Sequence, residues 1–261
     1  MEDLSHYNPE GSTLRRAQLR MLDILLEVDR ICKKHDIPYW IESGTLLGAV
    51  RHGGFIPWDD DLDIATTMEG YEKMKEFLPK ELPEKFVLQN TETDKNVFVT
   101  FAKVRDKHSF LYEPIWHKTK EQGIYIDIFP FEPMFSIRYK RFIEYIFGNS
   151  YMRYHRRYDT KWKYVTGCVL IPFATLFMKI SRLLFRLGPQ KYLYTCCGTP
   201  FYWQTDTESL FPLQPILFEG HWVMGPKDPH AYLTSYYGDY MQLPPEEKRG
   251  GQHASKIEFY D

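Results

Sequence analysis

The chain has 261 residues, of which 43% are hydrophobic, and this is enough to bury the core of one large domain or two small ones. The formal net charge of -2 gives no support for a nucleic-acid-binding surface, so we expect no nucleic acid partner. The four cysteines lack zinc-ligand spacing, and Met1 to Arg16 has no apolar core of a secretory signal. These features predict a cytoplasmic protein with free, buried thiols.

The first part of the chain predicts a helix, a strand and a short second helix. An apolar stripe predicts the first helix from Leu14 to Lys34, and His35 to Pro38 ends it. Tyr39 to Glu42 is typical of a strand. A Gly-Thr turn then leads into a short helix from Leu46 to Val50.

The start of the short helix is a candidate phosphate site. Its free backbone N–H groups would face an incoming phosphate, with Gly44 and Thr45 in the turn before it. Arg51 and His52 follow the helix, where their side chains are close enough to contact the same phosphate. A plain solvated surface explains these two residues equally well.

Four carboxylates lie within five residues just downstream, and apolar residues surround them. They are Asp59, Asp60, Asp61 and Asp63. Four close acids repel one another unless a cation lies among them. A strand from Asp61 to Thr66 would put Asp61 and Asp63 on one face, where two carboxylates suit a hard cation such as Mg²⁺. The alternatives are a solvated acidic loop and an EF-hand, which fails because its sixth and twelfth positions would be Ile64 and Gly70.

A second candidate phosphate contact lies on the strands that follow a helix predicted from Glu69 to Leu78. These strands are predicted at 86–89, 97–105 and 109–112. In the middle strand Phe101, Lys103 and Arg105 share one face. Two cations aligned on a strand beside an acid-rich one indicate phosphate binding, and a solvated edge face is the alternative.

A single carboxylate, Asp127, lies at the centre of a strongly apolar strand predicted from Gly123 to Pro130. A lone buried aspartate is costly unless it is paired or binds a metal. We therefore predict that Asp127 completes a metal site with Asp61 and Asp63. The alternative is an aspartate that is hydrogen-bonded to backbone amides.

The pattern becomes helical after Ile137, which suggests a helical insertion at about 137–207 within a single domain covering 1–261. An uncharged run from Val165 to Met178 is too short to span a bilayer, and a basic amphipathic helix follows it. A helix lying in the membrane interface at 165–187 explains both features and would place the protein at the inner face of the membrane. A buried helical hairpin packed on the sheet is the alternative.

Four blocks of sequence resemble the LicD family, which includes bacterial phosphocholine transferases and the fukutin group. The resemblance runs from about Ile37 to Arg249, and about 137–207 carries no family motif. The first two blocks together are highly specific. The blocks are Glu42–Arg51, Gly54–Ile64, Ile126–Pro130 and Leu233–Pro245.

The resemblance implies an α+β, nucleotidyltransferase-like fold in which helices flank a mixed β-sheet, here with a helical insertion. It also implies a Mg²⁺ (or Mn²⁺) site built from Asp61, Asp63 and Asp127. The reaction it implies is transfer of a phosphorylated alcohol from a cytidine-diphosphate (CDP) donor to a glycan or its lipid-linked precursor, such as lipopolysaccharide or teichoic acid. Phosphocholine is the first candidate for the transferred group, and ribitol phosphate is the second.

The chemistry of phosphoryl transfer, which needs in-line positioning and neutralised phosphate charge, gives roles to residues around the metal site. Asp127 is also the candidate base for the acceptor hydroxyl, and Lys103 and Arg105 are expected to contact the donor phosphates. Asp59 and Asp60 are expected to hold the metal-binding carboxylates in position without binding the metal themselves.

Two other functions fit the same residues. A CTP-dependent nucleotidyltransferase would use the same carboxylates and release pyrophosphate, whereas the transferase releases CMP. A non-catalytic glycan-binding domain would be expected to lack metal ligands, and here all three aspartates are present.

Overall fold

The computed structural model describes residues 4–148, 161–185, 190–199, 201–250 and 256–260. The helices in these ranges are α1 (Thr13–Lys34), α2 (Ser43–His52), α3 (Met68–Glu81), α4 (Ile137–Ile143), α5 (Lys161–Phe185), α6 (Thr207–Leu210) and α7 (Pro229–Tyr237). The strands are β1 (Tyr39–Ile41), β2 (Asp63–Thr67), β3 (Phe86–Gln89), β4 (Ala102–Asp106), β5 (Ser109–Tyr112), β6 (Tyr125–Pro133), β7 (Tyr192–Thr195), β8 (Gln204–Asp206), β9 (Gln214–Phe218), β10 (His221–Gly225) and β11 (Lys256–Phe259). A π-helical turn, Glu144–Gly148, continues α4, and 3₁₀ turns lie at Pro114–Trp116 and Glu246–Lys248.

Seven of the described strands form one mixed sheet at the centre of the molecule. Its main path runs β1-β2-β6-β4-β3, and β7 and β8 extend it from the second half of β6. Strands β2 and β6 are parallel, and the other neighbours in this sheet are antiparallel. Strands β9 and β10 form a hairpin, and β11 pairs with β5. A mixed sheet with flanking helices confirms the predicted α+β class.

Helix α1 matches its prediction closely and covers part of the sheet. The Ser12 hydroxyl accepts a hydrogen bond from the Arg15 N–H and so caps the first turn. The apolar face of α1 is buried against β4, β6 and α3. At its far end the Tyr39 hydroxyl donates to Asp29 Oδ1 at 2.6 Å, which ties α1 to β1.

Several element boundaries differ from their predictions, and three of them have clear local reasons. Strand β2 begins at Asp63, two residues later than predicted, because the preceding segment turns and the Asp59 N–H bonds Ile56 O. Strand β4 begins at Ala102, because the apolar run 97–101 is buried as a loop. Helix α3 continues through Pro79, which lies near its end and costs only one helical hydrogen bond.

The region 137–207 is only partly the helical insertion that the sequence suggested. Helices α4 and α5 are present, but β7 and β8 also lie in this region and extend the central sheet. Residues 149–160, 186–189 and 200 of the predicted insertion lie outside the described residues.

The uncharged run 165–178 and the basic helix predicted after it belong to one continuous helix, α5. The uncharged run ends at Met178, but the helix does not, and it passes through Pro172 without interruption. Its stretch Tyr164–Phe185 is therefore long and apolar enough to cross a membrane, by length and composition alone.

The cysteines are free, as the sequence predicts. Cys32, Cys196 and Cys197 are buried, whereas Cys168 is only half-buried. Burial raises the pKa of the Cys196 thiol to about 12, so it is protonated at neutral pH.

Candidate functional site

Two of the predicted aspartates lie side by side near the centre of the sheet. Strands β2 and β6 align Asp63 with Asp127, and strands β6 and β4 align Asp127 with Lys103. Register partners on neighbouring strands point to the same face, and the strands are about 4.8 Å apart. Lys103 Nζ donates to Asp127 Oδ1 at 2.7 Å. This cross-strand row therefore places two carboxylates and one ammonium group next to one another.

The two carboxylates of the cross-strand row do not tolerate full negative charge together. Burial, followed by the nearby carboxylates of Asp61, Asp127 and Asp59, raises the pKa of Asp63 well above its ordinary value. Burial also raises the pKa of Asp127 to about 6, although the Lys103 ammonium opposes this shift. A divalent cation bound beside them would favour the ionised form of both groups.

The other three acids lie in the loop before β2, close to the start of α2. A Cβ added at Gly44 would be 2.9 Å from Asp59 Oδ2, so glycine is what leaves room for this carboxylate. The loop is fixed from α1, because Gln18 Nε2 donates to Asp59 O at 2.9 Å. Asp60 is buried, and Asp61 lies ahead of β2, not on its face as predicted. The charge of Asp61 still contributes to the raised pKa of Asp63.

Helix α2 begins earlier than predicted and packs tightly against this loop. Gly48 makes the packing possible, since a Cβ there would lie 2.4 Å from Gly54 O and 2.9 Å from Ile56 N. Thr45, predicted to contact substrate, is buried, and its Oγ1 accepts a hydrogen bond from the Asp63 N–H at 2.8 Å. Thr45 therefore fixes the start of β2, and the half-exposed Gly44 is the part of the turn that remains accessible.

Arg51 and His52 lie at the end of α2 in a small basic cluster. Arg51 Nη1 donates to Tyr240 O at 2.9 Å, and Arg51 Nε donates to His52 Nε2 at 2.9 Å. Burial and then the Arg249 guanidinium lower the pKa of Arg51, which places the two guanidinium groups near each other. Burial and Arg51 lower the pKa of His52 to about 4, so His52 is neutral at pH 7. Two neighbouring guanidinium groups are an arrangement that suits a phosphate, so this cluster stays a predicted phosphate site.

Tyr237, at the end of α7, is close enough to the basic cluster and to the carboxylates to interact electrostatically with both. Partial burial and then the charges of Glu42, Asp63 and Asp59 raise the pKa of the Tyr237 phenol. The same hydroxyl contributes to the electrostatics of Arg51. Tyr237 and Arg249 received no role from the sequence, although both lie within the span of the family resemblance. That placement was the one available signal for them.

Glu42 is a third residue to which the sequence analysis gave no role. It directly precedes α2 and is completely buried, and its Oε2 accepts hydrogen bonds from the Tyr232 hydroxyl at 2.5 Å and from Trp40 Nε1 at 2.7 Å. Burial raises the pKa of Glu42 to about 7, against these two hydrogen bonds, which lower it. Glu42 therefore links α2 to α7 and so positions Tyr237 at the site.

The two cations predicted on β4 have different environments. Lys103 stays in the cross-strand row, with its ammonium on Asp127 and 3.4 Å from the centroid of the Tyr125 ring. Arg105 is completely buried, and it donates to Gln89 Oε1 at 2.6 Å and to Gly123 O at 2.8 Å. The prediction that Arg105 contacts donor phosphates is therefore corrected, because its guanidinium joins β3 and β4 inside the fold.

The carboxylates fit a cation that binds few protein ligands. Within the part of the chain that the structure describes, no group of three or more His, Cys, Asp or Glu side chains is arranged to hold a metal ion. Mg²⁺ usually takes one or two carboxylates and completes its shell with waters and substrate phosphates. Asp63 and Asp127 suit that mode of binding, and the site with three aspartates stays a prediction.

A protein-family profile matches the part of the chain that contains this candidate site. The family profile described as LicD/FKTN/FKRP, nucleotidyltransferase domain, matches residues 36–181, more than half of the chain. This range includes α2, the acidic loop and all of the cross-strand row. The match also agrees with the nucleotidyltransferase-like fold expected from the sequence.

Individual relatives extend the comparison. The lipopolysaccharide cholinephosphotransferase LicD of Haemophilus influenzae is 29% identical over 263 residues, which cover 92% of this chain and 96% of the relative. An uncharacterized protein of Rickettsia prowazekii is 40% identical over 79 residues, or 30% of this chain and 28% of its own. The mouse ribitol 5-phosphate transferase FKRP is 54% identical over 33 residues, or 13% of this chain and 7% of its own.

Proposed function

This chain belongs to the LicD family, and we propose that it is a transferase that moves a phosphorylated alcohol from a CDP-linked donor to a hydroxyl of a glycan or its lipid-linked precursor. Phosphocholine is the first candidate for the transferred group, because the relative that aligns over most of both chains is a cholinephosphotransferase of lipopolysaccharide. Ribitol phosphate is the second, because a short segment is similar to a ribitol 5-phosphate transferase.

The observation that carries the proposal is the alignment of Asp63, Asp127 and Lys103 in one row beside the start of α2. Asp63 and Asp127 would hold Mg²⁺ or Mn²⁺, with Asp61 and Asp59 close by. A bound divalent cation would supply Lewis-acid polarisation of the diphosphate and neutralise its charge.

The chain's own residues then have separable tasks. The basic cluster of Arg51 and Arg249 would bind donor phosphate oxygens and orient the diphosphate. Asp127, kept ionised by the cation and by Lys103, would accept the proton of the acceptor hydroxyl. Lys103 would hold the Asp127 carboxylate in one orientation through its 2.7 Å hydrogen bond. A bond would form between the acceptor oxygen and the phosphorus atom as the bond to the leaving CMP breaks.

The test compares donors and products with the purified full chain. Incubation with CDP-choline or CDP-ribitol and a glycan acceptor should release CMP and label the acceptor. Release of pyrophosphate from CTP, with no CMP from either donor, would indicate the nucleotidyltransferase alternative instead. Turnover with neither substrate set would favour the non-catalytic glycan-binding alternative.

An Asp63→Asn variant tests the proposed site within that assay. The substitution keeps the size of the side chain and removes a buried charge, so we expect the fold to be retained. Transfer should fall by a factor on the order of 10³, the scale for losing one preorganised electrostatic group. Asp61→Asn should also lower transfer, because Asp61 adds negative charge beside Asp63, whereas Asp23→Asn on the surface of α1 should leave transfer unchanged. Full activity of Asp63→Asn would remove this assignment.

A further inference from the structure

Helix α5 exposes apolar side chains around most of its circumference. The residues buried in its described part are Gly167, Ala174, Met178, Ser181 and Phe185, which form one narrow stripe with a repeat of three, four or seven residues. Large apolar side chains outside this stripe are exposed, up to 72% for Phe173. They are Trp162, Val165, Val169, Leu170, Phe173, Leu176, Phe177, Ile180, Leu183 and Leu184. A helix that is apolar on all sides is normally covered, by a protein core or by lipid.

The neighbouring segment adds to the same apolar surface. Phe135 and Phe142, before and within α4, and Tyr145 in the π-helical turn are each more than half exposed. This segment touches α5 through ring contacts of Phe135 with Phe185 and of Phe147 with Phe177. Together, 135–148 and 161–185 form a surface that we call the apolar platform. Contiguous exposed apolar surface of this kind marks an interaction site.

The charges on the apolar platform identify its partner. Among the side chains that the structure describes in 135–148 and 161–185, the exposed charged ones are Arg138, Arg141, Lys161 and Lys179, and all are cations. Helix α5 contains no acidic residue, and Glu144, the acid in 135–148, is buried and paired with Lys140 at 2.9 Å. Apolar side chains flanked only by basic ones complement the surface of a bilayer that carries anionic lipid.

The packing of α5 also determines how it would meet that bilayer. Its last turns are fixed to the folded domain, since Ser181 Oγ is 2.8 Å from the Tyr139 hydroxyl and Arg182 bonds Glu132 at 2.6 Å. A spanning helix would have to draw these polar groups into hydrocarbon, which is costly. The free face of α5 can instead lie in the interface while its buried stripe stays on the protein.

We propose that the apolar platform inserts into the interface of an anionic lipid bilayer, with α5 parallel to the membrane plane. This inference rests on exposure, packing and charge, and it does not depend on the transfer reaction. If the proposed function also holds, the platform would keep the site at the surface where a lipid-linked acceptor resides.

The experiment is vesicle flotation of the full chain. We expect the chain to float with vesicles of phosphatidylcholine and phosphatidylglycerol at low salt, and much less with phosphatidylcholine alone. A Phe173→Glu, Leu176→Glu double variant should lower the apparent partition coefficient on the order of tenfold or more, because both exposed side chains would lose lipid contact. The matched control is Trp222→Glu with Tyr260→Glu, at positions that are 63% and 56% exposed elsewhere on the surface, and it should float like the wild type.

Three results with vesicles or membranes would overturn the proposal. The first is no flotation with anionic vesicles at low salt, and the second is a platform variant that folds by circular dichroism and floats like the wild type. The third is resistance to extraction by alkaline carbonate, which would indicate a spanning helix. The other candidate occupant of the apolar platform is a second copy of the chain, and sedimentation without vesicles tests for it. A stable dimer that the platform variant dissociates, with vesicle binding unchanged, would assign the surface to that second copy.

Discussion

Replacing Glu42 with glutamine changes the buried group that joins α2 to α7. The carboxylate is completely buried and its pKa is raised from 4.5 to about 7, chiefly by burial. The folded state therefore binds a proton more tightly than the unfolded state does. The stability that comes from this proton is fully present below about pH 4.5 and is lost as the pH rises through about 7.

The size of this effect follows from the two pKa values. Between about pH 5 and about pH 8, the wild type should lose roughly 2–3 kcal/mol of unfolding free energy through Glu42 alone. Glutamine cannot ionise, and its amide oxygen can still accept from Tyr232 and Trp40. The difference between variant and wild type should therefore shift by this amount in favour of the variant at the higher pH.

Urea unfolding of both proteins at the two pH values measures that shift. Other titrating groups are present in both proteins and largely cancel in the comparison. Glu81→Gln is a control without this effect, because the hydrogen bond from Lys34 lowers the pKa of Glu81 and its own contribution is almost complete at both pH values, being lost only below about pH 4.5. Equal pH slopes for the wild type and Glu42→Gln would refute the reasoning about Glu42.

Three further substitutions test the site. Lys103→Met should lower the free energy of unfolding by about 3–5 kcal/mol, because it leaves Asp127 buried without its partner. The control Lys75→Met, in a surface ion pair, should cost no more than about 1 kcal/mol. Similar losses for both variants in urea unfolding would contradict this prediction. Gly48→Ala should lower the free energy of unfolding by about 1–3 kcal/mol in the same measurement, because the new Cβ would clash with backbone atoms of residues 54–56. An unchanged urea midpoint would show that this segment moves to accommodate the Cβ. Tyr237→Phe should fold normally and lower kcat/KM for transfer about tenfold, the scale of one hydrogen bond, if the Tyr237 hydroxyl bonds the substrate. An unchanged kcat/KM would exclude a hydrogen bond from Tyr237 to the substrate.

Local pattern was enough to predict the elements that carry the site. The period of α1 and the apolar strand around Asp127 both depend on neighbouring residues, so both could be predicted from the sequence. The position of Asp127 as a lone acid in an apolar strand was a sound reason to look for a partner. Register was not predictable, because the parallel pairing of β2 and β6 puts Asp63 opposite Asp127 and leaves Asp61 ahead of the strand.

Residues that depend on distant packing could not be predicted in this way. Arg105 and Lys103 have the same spacing as two phosphate ligands, but β3 supplies Gln89 to Arg105 and thereby buries it. Glu42 and Tyr232 are far apart in sequence, and only the docking of α7 brings them together. For α5 the composition indicated an apolar helix, but which face is buried depends on the few residues that pack on the domain.

Metal binding at the row of Asp63 and Asp127 is tested most directly by calorimetric titration of Mn²⁺ or Mg²⁺ into the full chain with CDP-choline present. We expect the wild type to bind the ion, and Asp63→Asn and Asp127→Asn each to weaken binding on the order of tenfold or more. Unchanged ion affinity in both folded variants would contradict the claim that these two carboxylates hold the metal.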